Sequence, residues 1–220
     1  MGDDRLDPAV PFVVHAPGPP PRTGAAAPAA ARAAIVAARP GEPSHEAHRA
    51  TMLAFLDAHP EALDRHCAAG HLTGSAMVVD PASRRFLLML HAKLGRWFQP
   101  GGHADGDGDL AAVAWKEATE ETGVPGLSVV TPAVVLDVHH VAPPHGPHDH
   151  LDVRYLVLAP PGARPAGNHE SLDLRWATYD ELPGFDVDDG LLRLARAALA
   201  VLDGLGPAGR ASRAPATPEP

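Results

Sequence analysis

The stretch "GGHADGDGDLAAVAWKEATEETGV", Gly101 to Val124, decides how this chain is read. It opens on a glycine pair, crosses a short acidic loop and closes in a helix-like run carrying Glu117, Glu120 and Glu121. On a helical wheel, at about 100° per residue, Leu110, Val113 and Ala114 share one face, which the three glutamates continue. Ala111, Trp115 and Ala118 form a second apolar flank, leaving Ala112, Lys116 and Thr119 for solvent. The inward stripe therefore turns from apolar to acidic along the helix. Carboxylates directed inward need compensation, and several together favour a hard divalent cation such as Mg²⁺. Lys116 is the only cation within the run. The glycines of "QPGGH" let backbone approach an ion or a phosphate closely. Together these features predict a metal-dependent site for phosphate chemistry, the metal screening an anionic substrate from acidic protein.

Around this box the chain alternates strand-like and helix-like runs. "SAMVVD" and "RRFLLMLH" read as strands joined by the turn "DPAS". After the box, "LSVVTPAVVLDVHHVA" and "HLDVRYLVLAP" read as strands, and "LDLRWATYDEL" as a short strand entering a turn. "DDGLLRLARAALAVLDGL" is an amphipathic helix started by Asp188 or Asp189. Before the strands, "SHEAHRATMLAFLDAHP" predicts a helix capped by Ser44, with Glu46 in its first turn and Ala50, Leu53, Ala54 and Ala58 on its buried stripe. A second short helix is expected over 61–68, ended by Gly70. Residues 1–43, rich in Ala, Pro and Gly, read as a disordered extension, with a transient helix near Ala25 to Ala38. The tail 206–220 has the same character. One α/β layered domain is thus expected over 44–205, with 44–70 as N-terminal helices and 101–124 as the box.

Composition narrows the partners. A net charge of −9 without a basic cluster argues against a nucleic-acid polymer. No apolar run is long enough for a membrane span, and the acidic start is unlike a secretory signal. The single Cys67 suits a reducing cytoplasm.

The box resembles the signature of the Nudix hydrolases: a glycine, a glutamate six positions on, and the closing run Arg-Glu-apolar-x-Glu-Glu-x-Gly-apolar. Gly102 takes the first place, and Glu117, Glu120, Glu121, Gly123 and Val124 match the closing run. Gly108 stands where the family has its first glutamate, and Lys116 replaces the arginine, keeping charge but losing fork geometry. The flanks "SAMVVD…FLLMLHAKLGRWFQPGGH" and "ESLDLRWATYDEL" are similar to those of bacterial Nudix proteins.

The resemblance implies an α/β fold: an α/β/α sandwich with a mixed sheet and a smaller sheet between helices, here with an N-terminal helical extension. It implies hydrolysis of a nucleoside diphosphate linked to another group, by attack of water on phosphorus. Glu117, Glu120, Glu121 and the Gly101 carbonyl would hold Mg²⁺ or Mn²⁺. Glu117, Glu121 or a later glutamate would take the proton, and Glu170 in "NHES" is the later candidate. The two departures motivate an alternative, a catalytically weakened nucleotide-binding or regulatory module. The N-terminal helices are also available for a homodimer interface. A Nudix-fold isomerase is disfavoured, since Cys67 lies outside the box.

The histidines leave several readings open. "HHVAPPHGPHDHLDVRY" holds His139, His140, His145, His148 and His150. On a strand, His148, His150, Asp152 and Arg154 share one face. That face can contact substrate, with Arg154 the strongest anion binder. His148 and His150 can instead bind a transition metal such as Zn²⁺, or all can be plain surface residues. His103 and His71 are within reach of the site or serve local hydrogen bonds. Trp97 and Trp176 are expected in the core.

Overall fold

The computed structural model of the chain describes residues 11–16, 18–39, 43–141 and 147–206. The acidic start, His145 and the tail from 207 lie outside those residues. In chain order the elements are β1 (Val13–His15), α1 (Ala27–Ala37), α2 (Pro43–Ala58), β2 (Gly70–Asp80), β3 (Arg85–His91), β4 (Trp97–Phe98) and β5 (Gly101–His103). They continue with α3 (Leu110–Thr122), β6 (Ser128–Val141), β7 (His148–Leu158), β8 (Ser171–Ala177) and α4 (Asp189–Gly204).

The strands connect in the order β1-β6-β7-β2-β3-β4, with β5 added to β2 and β8 to β3. β2 and β7 run parallel over their whole length, whereas the other pairs are antiparallel. β2 meets β3 only at Val79 and Asp80, so β4-β3-β8 joins the rest of the sheet through that short junction. The even residues Leu72, Ala76 and Val78 of β2 join Leu151, Val153, Tyr155 and Val157 of β7 in one core layer with α1, α2 and α3. The odd residues Met77 and Val79 join Leu156, Leu158 and the apolar stripe of α4 on the other face. Central strands covered on both faces must be apolar on both, which is why "SAMVVD" and "RYLVLAP" lack a clean alternation there. The result is the expected α/β/α sandwich. α4 starts where expected, Asp188 accepting a hydrogen bond from the Leu191 N–H at 2.8 Å. Among the described residues no helix is long and apolar enough to cross a membrane.

Where the N-terminal extension is described, over 11–16 and 18–39, it holds ordered elements and not the disorder expected there; residues 1–10 and 40–42 lie outside the described residues. Val13–His15 pairs with Thr131–Val129 of β6. α1 buries Ala27, Ala31 and Ile35 in the main core. These fall four residues apart, a narrow stripe of mostly small side chains that lets the helix lie close on its neighbours. Its last carbonyls are satisfied by Arg49 of α2, whose guanidinium donates to the oxygens of Ile35, Val36 and Ala38 at 2.5–2.7 Å.

Two helix details also differ. α2 begins at Pro43, so Ser44 sits inside its first turn. Its inward face is His45 and Met52 with Leu53, Phe55 and Leu56, while Ala50, Ala54 and Ala58 are exposed. Bulk, not alanine, chose the buried side. Residues 60–66 form successive turns where a helix was expected, and Gly70 opens β2 with φ 153°.

Candidate functional site

α3 sits directly on the sheet because β2 offers Gly74 beneath it: a Cβ there would stand 2.7 Å from the Leu110 carbonyl oxygen. Asp109 caps the helix, accepting from the Ala112 N–H at 3.1 Å, and Gly123 ends it in the left-handed conformation, φ 63°. The glutamates therefore emerge from the C-terminal half, over β5. Gly102 lies directly against Glu117, whose Cδ would be 2.6 Å from an added Cβ.

The three glutamates differ in depth. Glu121 is buried (3% exposed), Glu117 is half-buried, and the Glu120 carboxylate is largely exposed, which corrects the expectation of three equally inward groups. Glu121 Oε2 accepts the Gly101 N–H at 3.0 Å. Burial pushes the Glu121 carboxyl up to about 8; the Gly101 N–H opposes this, while the charges of Glu117 and Glu170 and a hydrogen bond with Glu170 reinforce it. Glu170, on the turn before β8, is thus brought to Glu121, and its N–H is fixed by Asn168 Oδ1 at 2.8 Å. Lys116 bridges Glu117 at 2.9 Å and Glu120 at 3.2 Å. Burial works against the Lys116 charge, but these two carboxylates raise its pKa.

The two departures from the Nudix pattern have structural settings. A Cβ at Gly108 would overlap the backbone of Ala27, so no side chain fits while α1 is docked. The segment before α1 crosses the acidic loop: Arg22 donates its N–H to Asp107 at 2.7 Å and accepts from the Gly108 N–H at 2.8 Å. Gly18 packs on the Trp115 indole. Ala112, expected in solvent, is buried.

Arg154 does not serve as the expected anion binder. Its side chain is 6% exposed and lies between two carboxylates, donating to Asp152 at 2.6 Å and to Asp137 at 2.7 Å. Thr73 and Ser75 donate to Asp152, each at 2.9 Å. Burial would raise the Asp137 carboxyl, but His139, Arg154 and His48 hold it well below the ordinary carboxylate range. The period-2 face was legible in the sequence, but Asp137 comes from β6 and its pairing was not. The polar residues His71, Thr73 and Ser75, alternating inside an apolar strand, were the missed signal. Arg65 was missed as well. It pairs with Asp105, Nε to Oδ1 at 2.6 Å, and its charge reaches Glu117.

His103 and His150 face away from Glu117, on the side of β5 and β7 that carries Asp152 and Arg154. The His71 ring is 4.8 Å from His103, 4.8 Å from His148 and 4.9 Å from His150. Burial, helped by the neighbouring imidazoles, lowers His71 to about 4 and His150 to about 3. His140 pairs with Asp149 at 3.0 Å, near the surface. Trp176 packs against the core layer that holds α3, and Trp97 against the layer under α4.

An α/β/α sandwich whose acidic helix meets a glycine loop defines the class of domain. The NUDIX domain model matches residues 71–196, more than half of the chain, and the chain belongs to the Nudix family. Solved structures of similar fold include an Ap4A hydrolase from C. elegans, 17% identical, covering 60% of this chain and 98% of that one with a TM-score of 0.51. They also include the Nudix hydrolase RenU from M. smegmatis, at 22% identity, 62% and 88% coverage and TM-score 0.48. A third is the NUDIX domain of Shewanella oneidensis NrtR complexed with ADP ribose, at 19% identity, 68% and 97% coverage and TM-score 0.47. No curated protein matches the sequence.

Proposed function

We propose that this Nudix enzyme is a metal-dependent pyrophosphohydrolase, using water to cleave the diphosphate linkage of a nucleoside diphosphate joined to another group. The observation that carries the reading is the meeting of Glu117, Glu121 and Glu170 beside the glycine pair, with Glu121 buried and its carboxyl raised to about 8. A cluster of carboxylate oxygens that destabilise one another's charge fits a hard divalent ion. Glu117, Glu120, Glu121 and the Gly101 carbonyl would hold Mg²⁺ or Mn²⁺, which when bound supplies charge neutralisation of the phosphates and activation of water.

The chain's own residues supply position and proton transfer. The Gly101 N–H fixes one oxygen of Glu121 and so orients the other. Glu170, hydrogen-bonded to Glu121, stands where it can accept a proton from the attacking water, with Glu117 and Glu121 as the other candidate bases. Arg65 lends positive potential on the Glu117 side. His103 and His150, expected as substrate contacts, lie on the other sheet face, away from Glu117. The single buried cysteine fits a cytoplasmic location.

The test is a panel of Ap4A, ADP-ribose, sugar nucleotides and nucleoside triphosphates with Mg²⁺ or Mn²⁺, with the nucleotide products resolved by chromatography. Turnover of at least one compound, lost in Glu121→Gln and Glu120→Gln, is expected; turnover unchanged in both variants would remove the site assignment. A second reading is favoured by Lys116, whose ammonium already bridges Glu117 and Glu120 as an internal counter-ion. A chain so compensated can bind a nucleotide without cleaving it. Calorimetry showing tight nucleotide binding with no cleavage at any divalent metal would select that reading.

A further inference from the structure

Four adjacent strands bring histidines together on the sheet face opposite the glutamates. His71 of β2 is in register with His150 of β7, and His150 with His139 of β6. Thr73 of β2 is in register with His103 of β5. Side chains alternate along a strand, so His71 and Thr73 point the same way, and His103 joins His71 from the next strand. Gly102 faces Glu117 on α3, so its neighbour His103 is turned away from that carboxylate. One ring nitrogen from each of His71, His103 and His150 lies within 4.8 Å of the others.

His71 is 3% exposed, and although the Cys67 carbonyl is close to its ring, neither nitrogen makes a hydrogen bond of ordinary geometry. His150 Nε2 is likewise buried without a hydrogen-bond partner. A buried polar ring left so is costly and calls for an occupant that satisfies it. The Cys67 carbonyl can meet at most one of the two His71 nitrogens, and a metal ion between the rings would engage the other.

We propose that His71, His103 and His150 form a second metal site, separate from the carboxylate cluster, for a borderline cation of the Zn²⁺ class. Imidazole nitrogen suits Zn²⁺, Co²⁺ and Ni²⁺ and not Mg²⁺, so the two sites select different ions. A tetrahedral ion with bonds of about 2.0–2.1 Å holds its ligand atoms roughly 3.4 Å apart, so each ring needs only a small rotation to close on it. His148, whose ring is 5.1 Å from that of His150, is placed to complete the set, or the fourth position stays open to water or substrate. An ion here would tie β5, which carries the glycine pair, to β2 and β7.

The full chain, stripped of metal and titrated with Co²⁺, tests the site. One equivalent should bind with the intense visible absorption of four-coordinate nitrogen ligation, and Zn²⁺ should displace it. His103→Ala and His150→Ala should each weaken binding at least about tenfold, the scale already known for losing an outer-shell partner. His103 is only half-buried, so this variant should keep the circular dichroism spectrum of the parent. The Glu120→Gln/Glu121→Gln double variant should keep the absorption. The proposal falls if no visible band appears at a tenfold excess of Co²⁺, if the band survives both histidine variants, or if the glutamate double variant abolishes it.

Discussion

Glu121 makes folding stability depend on pH in a direction opposite to that of most carboxylates. Its carboxyl rises from an ordinary 4.5 to about 8 in the metal-free fold, chiefly by burial and then by the charges of Glu117 and Glu170. Between those values the folded state holds a proton that the unfolded state has released. Stability is therefore full below about pH 4.5 and is lost as pH rises through about 8. At 1.36 kcal/mol per tenfold step the whole effect is about 5 kcal/mol, and roughly 3–5 kcal/mol allows for solvent screening and relaxation. Glu121→Gln keeps an oxygen for the Gly101 N–H but cannot ionise, so the variant should lack this slope. The assay is urea unfolding of both proteins in EDTA from pH 5 to pH 9, with the wild-type curve subtracted from the variant's. The difference should grow in favour of Glu121→Gln by several kcal/mol across that range, and Mg²⁺ should recover most of the wild-type loss at high pH. Parallel curves within about 0.5 kcal/mol would refute the reasoning, because that is the scale of ordinary surface substitutions.

Further outcomes follow from the same geometry. Arg154→Met leaves Asp137 and Asp152 buried without their shared cation and should cost about 3–5 kcal/mol by urea unfolding, the usual scale for breaking a buried pair. Ile35→Ala should cost about 2–5 kcal/mol if α1 belongs to the core; a loss below 1 kcal/mol would mean that the helix is a loose appendage. Gly108→Glu, which restores the family's residue, should displace the segment around Ala27 and expose 18–39 to limited proteolysis, where the parent is resistant. A protease pattern identical to the parent's would contradict that packing.

How much of this could be read beforehand depended on the range of the interactions involved. The box was legible because its signals are local: Gly102, the acidic run Glu117 to Glu121 and the terminating Gly123 lie within one loop and one helix. Strands β6 and β7 and helix α4 were legible from apolar runs and the Asp188 cap. The N-terminal segment was not, because its alanines become core only through packing on α2 and on β6, the latter far along the chain. Composition cannot distinguish an Ala-rich coil from an Ala-rich helix that has found a close-fitting surface. The sequence pattern places Arg154 on the right face but does not show its second carboxylate partner, Asp137, which arrives from a neighbouring strand. The histidine cluster had the same difficulty: His148 and His150 invited the thought of a metal, but the parallel register that adds His71 is a property of the sheet.

The central claim, that water attacks phosphorus at the glutamate cluster, is tested most directly in ¹⁸O-labelled water with the best substrate of the panel. The wild-type protein with saturating Mg²⁺ should place one ¹⁸O on a phosphoryl product, and Glu121→Gln should slow that incorporation at least about 100-fold, the lower range for general acid–base catalysis. Incorporation at the wild-type rate in the variant, or label appearing on carbon and not on phosphorus, would contradict the account.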